Sequence, residues 1–101
     1  MKIVGVTSCP SGVAHTYMAA EALEQAAKKF GFEVKIETQG SSGPENQLSN
    51  NDIKEADFVV LTNDTNISGK ERFSGKKVVQ LSATQIISKS DVLMTKLQAA
   101  K

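Results

Sequence analysis

The stretch KIVGVTSCPSGVAHT, residues 2–16, passes from an apolar run through a short loop into the start of a helical pattern. The loop holds Cys9, the one cysteine of the chain, followed by the turn-forming residues Pro10 and Gly12. The first backbone N–H groups of a helix have no partner within that helix, and they stabilise negative charge. They suit a thiolate at Cys9, and equally the phosphate that such a thiolate would carry. We therefore expect the chemistry of this chain at the turn between its first strand and its first helix.

Composition and charge describe one small domain over residues 1–101, with 40% hydrophobic residues. The 12 basic residues nearly balance the 11 acidic ones, and this balance argues against binding to nucleic acid or to a membrane surface. A single cysteine forms no internal disulfide, which favours a reducing, cytoplasmic compartment. No apolar run approaches the ~20 residues of a membrane-spanning helix, and the N-terminus resembles a strand rather than a signal peptide.

The hydrophobic pattern alternates between strands and helices along the chain. Continuous apolar runs predict buried strands at residues 2–7 and 57–62, and a shorter strand follows at 77–81. Polar and apolar residues alternate at 33–38, which predicts a half-exposed edge strand. The expected helices cover residues 14–30 and 50–56, the latter opened by a capping box at Ser49, with a last helix capped by Ser90. Turn formers predict loops at 39–47 and 63–75, the second with a helical turn near 69–73.

This order of elements predicts a three-layer α/β fold, in which one open sheet of four parallel strands has helices on both faces. Right-handed crossovers favour the strand order 2-1-3-4. The winding direction then reverses between strands 1 and 3, and ligands of such sheets bind at the carboxyl ends of the strands at that point. Cys9 follows the first strand, and the stretch Asn63-Asp64-Thr65 follows the third. We therefore expect both to border one crevice.

Cys9 has two interpretations. A lone cysteine is often a small buried apolar residue. Its place among Ser8, Pro10, Ser11 and Gly12, directly before a helix, favours a reactive thiolate instead. The sequence has no Cys-x-x-Cys pair, so dithiol redox chemistry lacks its second thiol.

His15 lies six positions after Cys9 and is followed by Thr16. A cysteine phosphatase loop of the form Cys-x-x-x-x-x-Arg-Ser/Thr has an arginine at the position of His15. Arginine binds phosphate with two hydrogen bonds and stays charged, whereas the charge of histidine depends on pH. A looser hold suits passing the phosphoryl group on rather than hydrolysing it. His15 is equally compatible with a neutral surface or capping role, and Thr16 either hydrogen-bonds the thiolate or caps the helix.

Several other polar residues have a functional and a simpler interpretation. Asp64 suits a general acid, but an acidic residue after a strand more often forms a turn. Ser41 and Ser42 either reach the crevice or fill a flexible loop. Arg72 with Lys70 forms either a docking patch for an acidic partner or a solvated pair. We expect the simpler role in each case.

The run CPSGVAHTYMAAEAL, residues 9–23, resembles the signature of the fructose-type enzyme IIB (EIIB) of the bacterial phosphoenolpyruvate-dependent sugar phosphotransferase system (PTS). The segments ETQGS at 37–41 and RFSGK at 72–76 also resemble that family's pattern, as do the pairs at 52–53 and 56–57. The family pattern often has Thr and Ile where this chain has Ser11 and Val13, which are mild changes. The resemblance extends over nearly the whole chain.

The resemblance implies a cytoplasmic phosphoryl carrier, and so a phosphotransferase, with one EIIB domain over residues 1–101. In this family the cysteine matching Cys9 takes a phosphoryl group from a phosphohistidine of enzyme IIA (EIIA). It gives that group to a sugar, here fructose or a related hexose, which the membrane component enzyme IIC (EIIC) translocates. The resemblance implies no metal ion and no organic cofactor.

The phosphate-binding loop implied by the resemblance consists of Pro10, Ser11, Gly12, Val13, Ala14, His15 and Thr16, and it would hold the phosphate oxygens through backbone N–H groups. The main alternative is a low-molecular-weight cysteine phosphatase or an arsenate-reductase-like enzyme, which shares the architecture. His15 in place of arginine argues against that alternative. A non-catalytic interaction domain with a vestigial loop is the third possibility.

Overall fold

The computed structural model describes residues 1–8, 13–40, 43–63 and 67–100, and for residues 13–15 the backbone alone. Within these residues the strands are β1 (Lys2–Thr7), β2 (Glu33–Gly40), β3 (Gly43–Glu45), β4 (Phe58–Thr62) and β5 (Val78–Leu81). The helices are α1 (Val13–Lys29), α2 (Asn50–Glu55) and α3 (Ala83–Ala100), with a 3-10 turn at Lys70–Phe73.

The described strands form one sheet in the order β3-β2-β1-β4-β5. β1 pairs in parallel with both β2 and β4, and β4 pairs in parallel with β5. These are the four parallel strands that the sequence predicts, in the predicted relative order. The prediction of a purely parallel, four-stranded sheet is wrong, because β3 is a fifth strand and runs antiparallel to β2.

β3 lies within residues 39–47, where the turn formers predict a loop. The chain reverses between Gly40 and Gly43, which pair with each other, and Gly43 has the positive φ of 94° that glycine tolerates best. Pro44 pairs opposite Gln39. A proline fits there because β3 is an edge strand, so its missing N–H leaves no partner unsatisfied. β2 is therefore an inner strand, and the edge position predicted from its polar–apolar alternation is wrong.

The two faces of the sheet are covered by different helices. Alternate residues of a strand point to opposite faces, and accordingly Ile3 and Val60 pack in one hydrophobic core with α1 and α3. Val4 and Leu61 belong to a second core, to which α2 contributes Ile53. β1 and β4 are thus buried on both sides, which explains their continuous apolar sequences.

The capping box predicted at the start of α2 is confirmed. The Ser49 hydroxyl accepts a hydrogen bond from the Asp52 N–H at 3.1 Å, and the Asp52 carboxylate accepts one from the Ser49 N–H at 2.9 Å. Lys2 and Lys35 form ion pairs with the same carboxylate at 3.2 and 3.0 Å. The bond from Ser49, with that from Lys35, holds the pKa of Asp52 well below its usual range. These contacts fix α2 against β1 and β2.

α3 begins at Ala83, well before the Ser90 cap predicted from the sequence, so that cap does not start the helix. Ser82 and Gln85 form the observed first-turn contacts, in which each side chain accepts a hydrogen bond from the other residue's N–H, at 3.1 and 3.0 Å. Lys89 departs from helical geometry, with φ −128° and ψ 22°, so the helix is kinked just before Ser90. Residues 84–90 are mostly β-branched residues and serines of low helix propensity, which weakens the sequence signal for the first half.

Candidate functional site

Ser8, the residue directly after β1, is hydrogen-bonded to both neighbouring strands. The Ser8 N–H donates a hydrogen bond to the Thr62 hydroxyl at the end of β4, and that hydroxyl donates back to the Ser8 carbonyl, both at 2.9 Å. On the other side, the Ser8 hydroxyl donates to the Gln39 carbonyl of β2 at 2.9 Å. Both Ser8 and Thr62 are buried. The residue that precedes Cys9 therefore has a defined position between the carboxyl ends of β2 and β4.

The first turn of α1 is hydrogen-bonded to β1. The Thr7 hydroxyl donates a hydrogen bond to the Thr16 carbonyl at 3.0 Å, and both residues are almost completely buried. Among the described residues, the Thr16 hydroxyl oxygen is the buried side-chain atom without a hydrogen-bond partner. An unsatisfied buried hydroxyl costs free energy, about 1–3 kcal/mol in mutational data. Thr16 therefore keeps a donor and an acceptor available at the start of the helix.

Eight of the residues that the sequence singles out lie outside the described part of the chain: Cys9, Pro10, Ser11, Gly12, Ser41, Ser42, Asp64 and Thr65. Val13, Ala14 and His15 form the helical start of α1. Asn63 is exposed directly after β4, and its N–H donates to the Leu81 carbonyl at 2.9 Å. The functional interpretations of Cys9, His15 and Asp64 stay predictions.

Arg72 forms an ion pair with a buried carboxylate that sequence analysis did not single out. The Glu37 side chain on β2 is 1% exposed, and its two oxygens accept hydrogen bonds from Arg72 Nη1 and Nη2 at 2.9 and 3.2 Å. The Leu48 N–H donates to Glu37 at 3.1 Å. Burial acts to raise the pKa of Glu37, but the bonds from Arg72, Gln39 and Leu48 outweigh it and lower that pKa. For Arg72 the prediction of a solvated pair with Lys70 is therefore wrong.

Gln39 links the Glu37 carboxylate to Ser68, in the segment that follows β4. Its Nε2 donates to Glu37 Oε2 at 2.8 Å and to the Ser68 carbonyl at 2.9 Å, while its Oε1 accepts from the Ser68 N–H at 2.9 Å. Arg72 donates to the Ser68 carbonyl at 3.2 Å and to the Gly69 carbonyl at 2.7 Å. The segment after β4 is thereby attached to β2. Glu37, Gln39 and Arg72 all lie in the motif segments 37–41 and 72–76, which is the sequence signal that could have identified them.

On the opposite face of the sheet, Tyr17 connects α1 to β3. Its hydroxyl donates a hydrogen bond to Glu45, and this bond, with burial, raises the pKa of Tyr17. The Tyr17 side chain is still 39% exposed, and the neighbouring Met18 is 50% exposed. An apolar surface therefore adjoins the start of α1.

Within residues 1–8, 13–40, 43–63 and 67–100, no group of three or more His, Cys, Asp and Glu side chains could hold a metal ion. In the same part of the chain, none of the helices combines the length and apolarity needed to cross a membrane.

The fold and the site define a class of protein. An open, mostly parallel sheet whose central strand precedes a cysteine and then a helix N-terminus along the chain is suited to bind and transfer an oxyanion such as a phosphoryl group. The family model described as "PTS system, Lactose/Cellobiose specific IIB subunit" matches residues 4–95. The chain belongs to this family of PTS IIB subunits.

Individual relatives are similar over the same range. The "PTS system fructose-like EIIB component 2" of Escherichia coli is 55% identical over 98 residues, which are 97% of this chain and 92% of that protein. The "Fructose-like PTS system EIIBC component" of Escherichia coli is 48% identical over 99 residues, which are 96% of this chain but 20% of that protein. A solved domain of the fructose-specific IIABC component of Borrelia burgdorferi superposes with a TM-score of 0.89 at 45% identity, covering 95% of this chain and 91% of that domain.

The resemblance to the fructose-type EIIB family, stated from sequence motifs, is thus confirmed. The chain is a phosphoryl carrier, and so a phosphotransferase, of a PTS for sugar uptake. Neither a cysteine phosphatase nor an arsenate reductase is favoured by these similarities.

Proposed function

We propose that Cys9 is the residue that carries the phosphoryl group. Its thiolate attacks the phosphorus of a phosphohistidine on EIIA, so that an S–P bond forms and an N–P bond breaks. In the second step a sugar hydroxyl attacks the same phosphorus, the S–P bond breaks, and the hydroxyl proton passes to a base. Both steps depend on in-line positioning and on stabilising charge at the equatorial oxygens.

The observation that carries this proposal is the Thr16 hydroxyl, which is buried and has no hydrogen-bond partner among the described residues. Thr16 lies in the first turn of α1, the helix that follows Cys9. A hydroxyl that keeps its donor available there suits a ligand that brings its own acceptors, such as a thiolate or a phosphoryl group. We assign residues 10–16, of which Val13 to Thr16 form the first turn of α1, to phosphate binding, with backbone N–H groups as the main donors.

The ionisation of Cys9 follows from the same environment. Unpaired N–H groups at a helix start favour an anion, so we expect them to lower the pKa of the Cys9 thiol below that of free cysteine. A thiolate populated at neutral pH would let Cys9 accept the phosphoryl group without a separate general base. Alkylation of Cys9 by iodoacetamide against pH gives this pKa directly. An inflection at or above the value of free cysteine would contradict the assignment.

We assign EIIA as the donor and EIIC as the site of transfer to the sugar. The names of relatives support this. The Escherichia coli EIIBC component is named for EIIB and EIIC together, and the Borrelia burgdorferi IIABC component is named for EIIA, EIIB and EIIC. Fructose or a related hexose is the sugar, as the relatives are named fructose-like or fructose-specific. Residues 1–101 then work as one EIIB domain at the cytoplasmic face of the permease, free or fused to it.

Phosphoryl transfer from phosphorylated EIIA tests the proposal. The wild-type chain should take up one labelled phosphoryl group, and Cys9→Ser should take up none. Thr16→Val should slow labelling while Thr16→Ser, which keeps the hydroxyl, should retain most of it. Thr95→Val is the matched control, since the Thr95 hydroxyl only donates to the Asp91 carbonyl on the exposed face of α3. Label that persists in Cys9→Ser, or label on His15 in the wild type, would refute the proposal.

A further inference from the structure

The side-chain amide of Gln39 donates two hydrogen bonds and accepts one. Nε2 has two hydrogens, and they go to the Glu37 carboxylate and to the Ser68 carbonyl. Oε1 accepts from the Ser68 N–H. Because the partners are a carboxylate, a carbonyl and an N–H, one orientation of the amide satisfies all three. Gln39 thus pairs with the backbone of Ser68 as a neighbouring strand would.

The Gln39–Ser68 pair connects elements that lie on either side of β1. β1 lies between β2 and β4. Gln39 belongs to β2, and Ser68 belongs to the segment that follows β4, so their pairing spans the carboxyl end of β1. The main-chain carbonyl of Gln39 also accepts the hydrogen bond from the Ser8 hydroxyl. One residue therefore contacts both Ser8, directly after β1, and Ser68, in the segment that follows β4.

Glu37 and Arg72 fix the orientation of the Gln39 side chain. Glu37 accepts from the Gln39 amide, and its charge is balanced by two hydrogen bonds from Arg72. Arg72 also donates to the carbonyls of Ser68 and Gly69, so the segment after β4 is held from two directions. We name the set of Glu37, Gln39, Ser68 and Arg72 the Gln39 clamp. Glu37 is buried, Gln39 and Arg72 are half-buried, and Ser68 is exposed, so the rigid, fully hydrogen-bonded part of the clamp is its Glu37 end.

We propose that Gln39 is a positioning residue for phosphoryl transfer: through the Gln39 clamp it sets the distance between Ser8 and the segment that follows β4. The inference rests on the proposed function, in which Cys9, the next residue after Ser8, carries the phosphoryl group. In-line transfer is sensitive to distance, and a misplacement of about 1 Å can cost up to about 100-fold in rate. Gln39 acts through the two segments it joins, at Ser8 and at Ser68.

The variant Gln39→Met tests the inference, because methionine keeps the length of the side chain and removes its hydrogen bonds. At saturating phosphorylated EIIA we expect transfer to be about 10- to 100-fold slower than in the wild type. KM for phosphorylated EIIA should change by less than about threefold, since ground-state binding of the donor is not affected. The matched control is Gln25→Met, whose amide makes a single exposed hydrogen bond to Glu21 on α1.

Hydrogen exchange of the Ser68 amide provides the second readout. In Gln39→Met this amide should exchange faster while amides of β1 and β4 stay protected, which shows that the clamp is open and the fold intact. A contact that only stabilises the fold would lower the unfolding midpoint but leave the rate of the folded fraction unchanged. Faster Ser68 exchange with an unchanged transfer rate would overturn the inference, and so would unchanged Ser68 exchange. A wild-type chain that takes no phosphoryl group would overturn the proposed function, and the inference with it.

Discussion

Replacing Arg72 by methionine tests how far the buried Glu37 carboxylate depends on its ion pair. The side chain of Glu37 is 1% exposed and that of Arg72 is 25% exposed. The variant removes the bonds from Nη1 and Nη2 and leaves those from the Gln39 amide and the Leu48 N–H. Breaking a buried pair costs about 3–5 kcal/mol, and we expect about 3 kcal/mol because half of the hydrogen bonds remain.

Urea unfolding measures this loss. An m-value of about 1–3 kcal/mol per M converts 3 kcal/mol into a decrease of about 1–3 M in the unfolding midpoint. Far-UV circular dichroism suits the assay, since the chain has one tyrosine and no tryptophan. Lys70→Met is the matched control, because Lys70 is an exposed base in the same 3-10 turn. An exposed substitution should change the free energy of unfolding by less than about 0.5 kcal/mol.

The pH dependence separates a lost ion pair from lost packing. In the wild type the pKa of Glu37 is lowered, so its contribution to stability is complete above the unfolded pKa of about 4.3 and is lost as the pH falls through the folded pKa. In Arg72→Met we expect burial, no longer offset by the guanidinium, to outweigh the bonds from Gln39 and Leu48 and to raise the pKa of Glu37 above the unfolded value. The folded variant then gains a proton first, and its deficit relative to the wild type shrinks as the pH falls from neutral towards 4.

Glu37→Gln in the Arg72→Met background completes the test. The amide removes the buried charge, so the double variant should be more stable than Arg72→Met at neutral pH and should lose the pH-dependent part of the difference. The reasoning is refuted if Arg72→Met costs less than about 1 kcal/mol, well below the range for a broken buried pair. A deficit that is constant between neutral pH and pH 4 would refute it as well.

Three other predictions follow from single sites. Gly5→Ala should destabilise the chain by about 1–3 kcal/mol in urea, because its Cβ would lie 2.7 Å from the Val60 carbonyl oxygen of the neighbouring strand; an unchanged midpoint would contradict this. Tyrosinate absorbance reports Tyr17 alone, and its raised pKa should fall towards the ordinary value in Glu45→Gln; the stability from this raised pKa is present below the unfolded pKa and is lost as the pH rises through the folded one. His15→Ala should slow transfer while still allowing phosphorylation at high donor concentration, and His15→Arg should slow the step to the sugar; if His15→Ala leaves both half-reactions unchanged, the residue has no role in them.

The parts of the fold that local sequence determines were predictable. β1 and β4 are buried on both faces, so their apolar runs are continuous, and the predicted order of the four parallel strands follows from right-handed crossovers. The capping box at Ser49 is a local pattern of four residues and needs no tertiary contact. β3 was missed because three residues containing a glycine and a proline have no strand propensity of their own. They form a strand because β2 offers them an unpaired edge.

The contacts of Glu37 with Arg72 and of Gln39 with Ser68 were not predictable by the same means. A glutamate, a threonine and a glutamine in succession suggest a half-exposed strand, yet Glu37 and Thr38 are buried. Their burial depends on partners far along the chain: Arg72 lies 35 positions from Glu37, and Ser68 lies 29 positions from Gln39. No periodicity encodes such a pair, because burying a charge is favourable only when its partner arrives with the right geometry.

Hydrogen bonds hold the described residues on both sides of Cys9, where we propose that phosphate binds. Before Cys9, Ser8 is hydrogen-bonded to Thr62 and to Gln39. After it, in the first turn of α1, the Thr16 carbonyl accepts a hydrogen bond from the hydroxyl of Thr7 at the end of β1. Holding the flanking residues in place lowers the ordering cost that a ligand would otherwise have to offset. A carrier that must accept a phosphoryl group and give it up again gains from this arrangement, because fast transfer in both steps needs precise positioning more than tight binding.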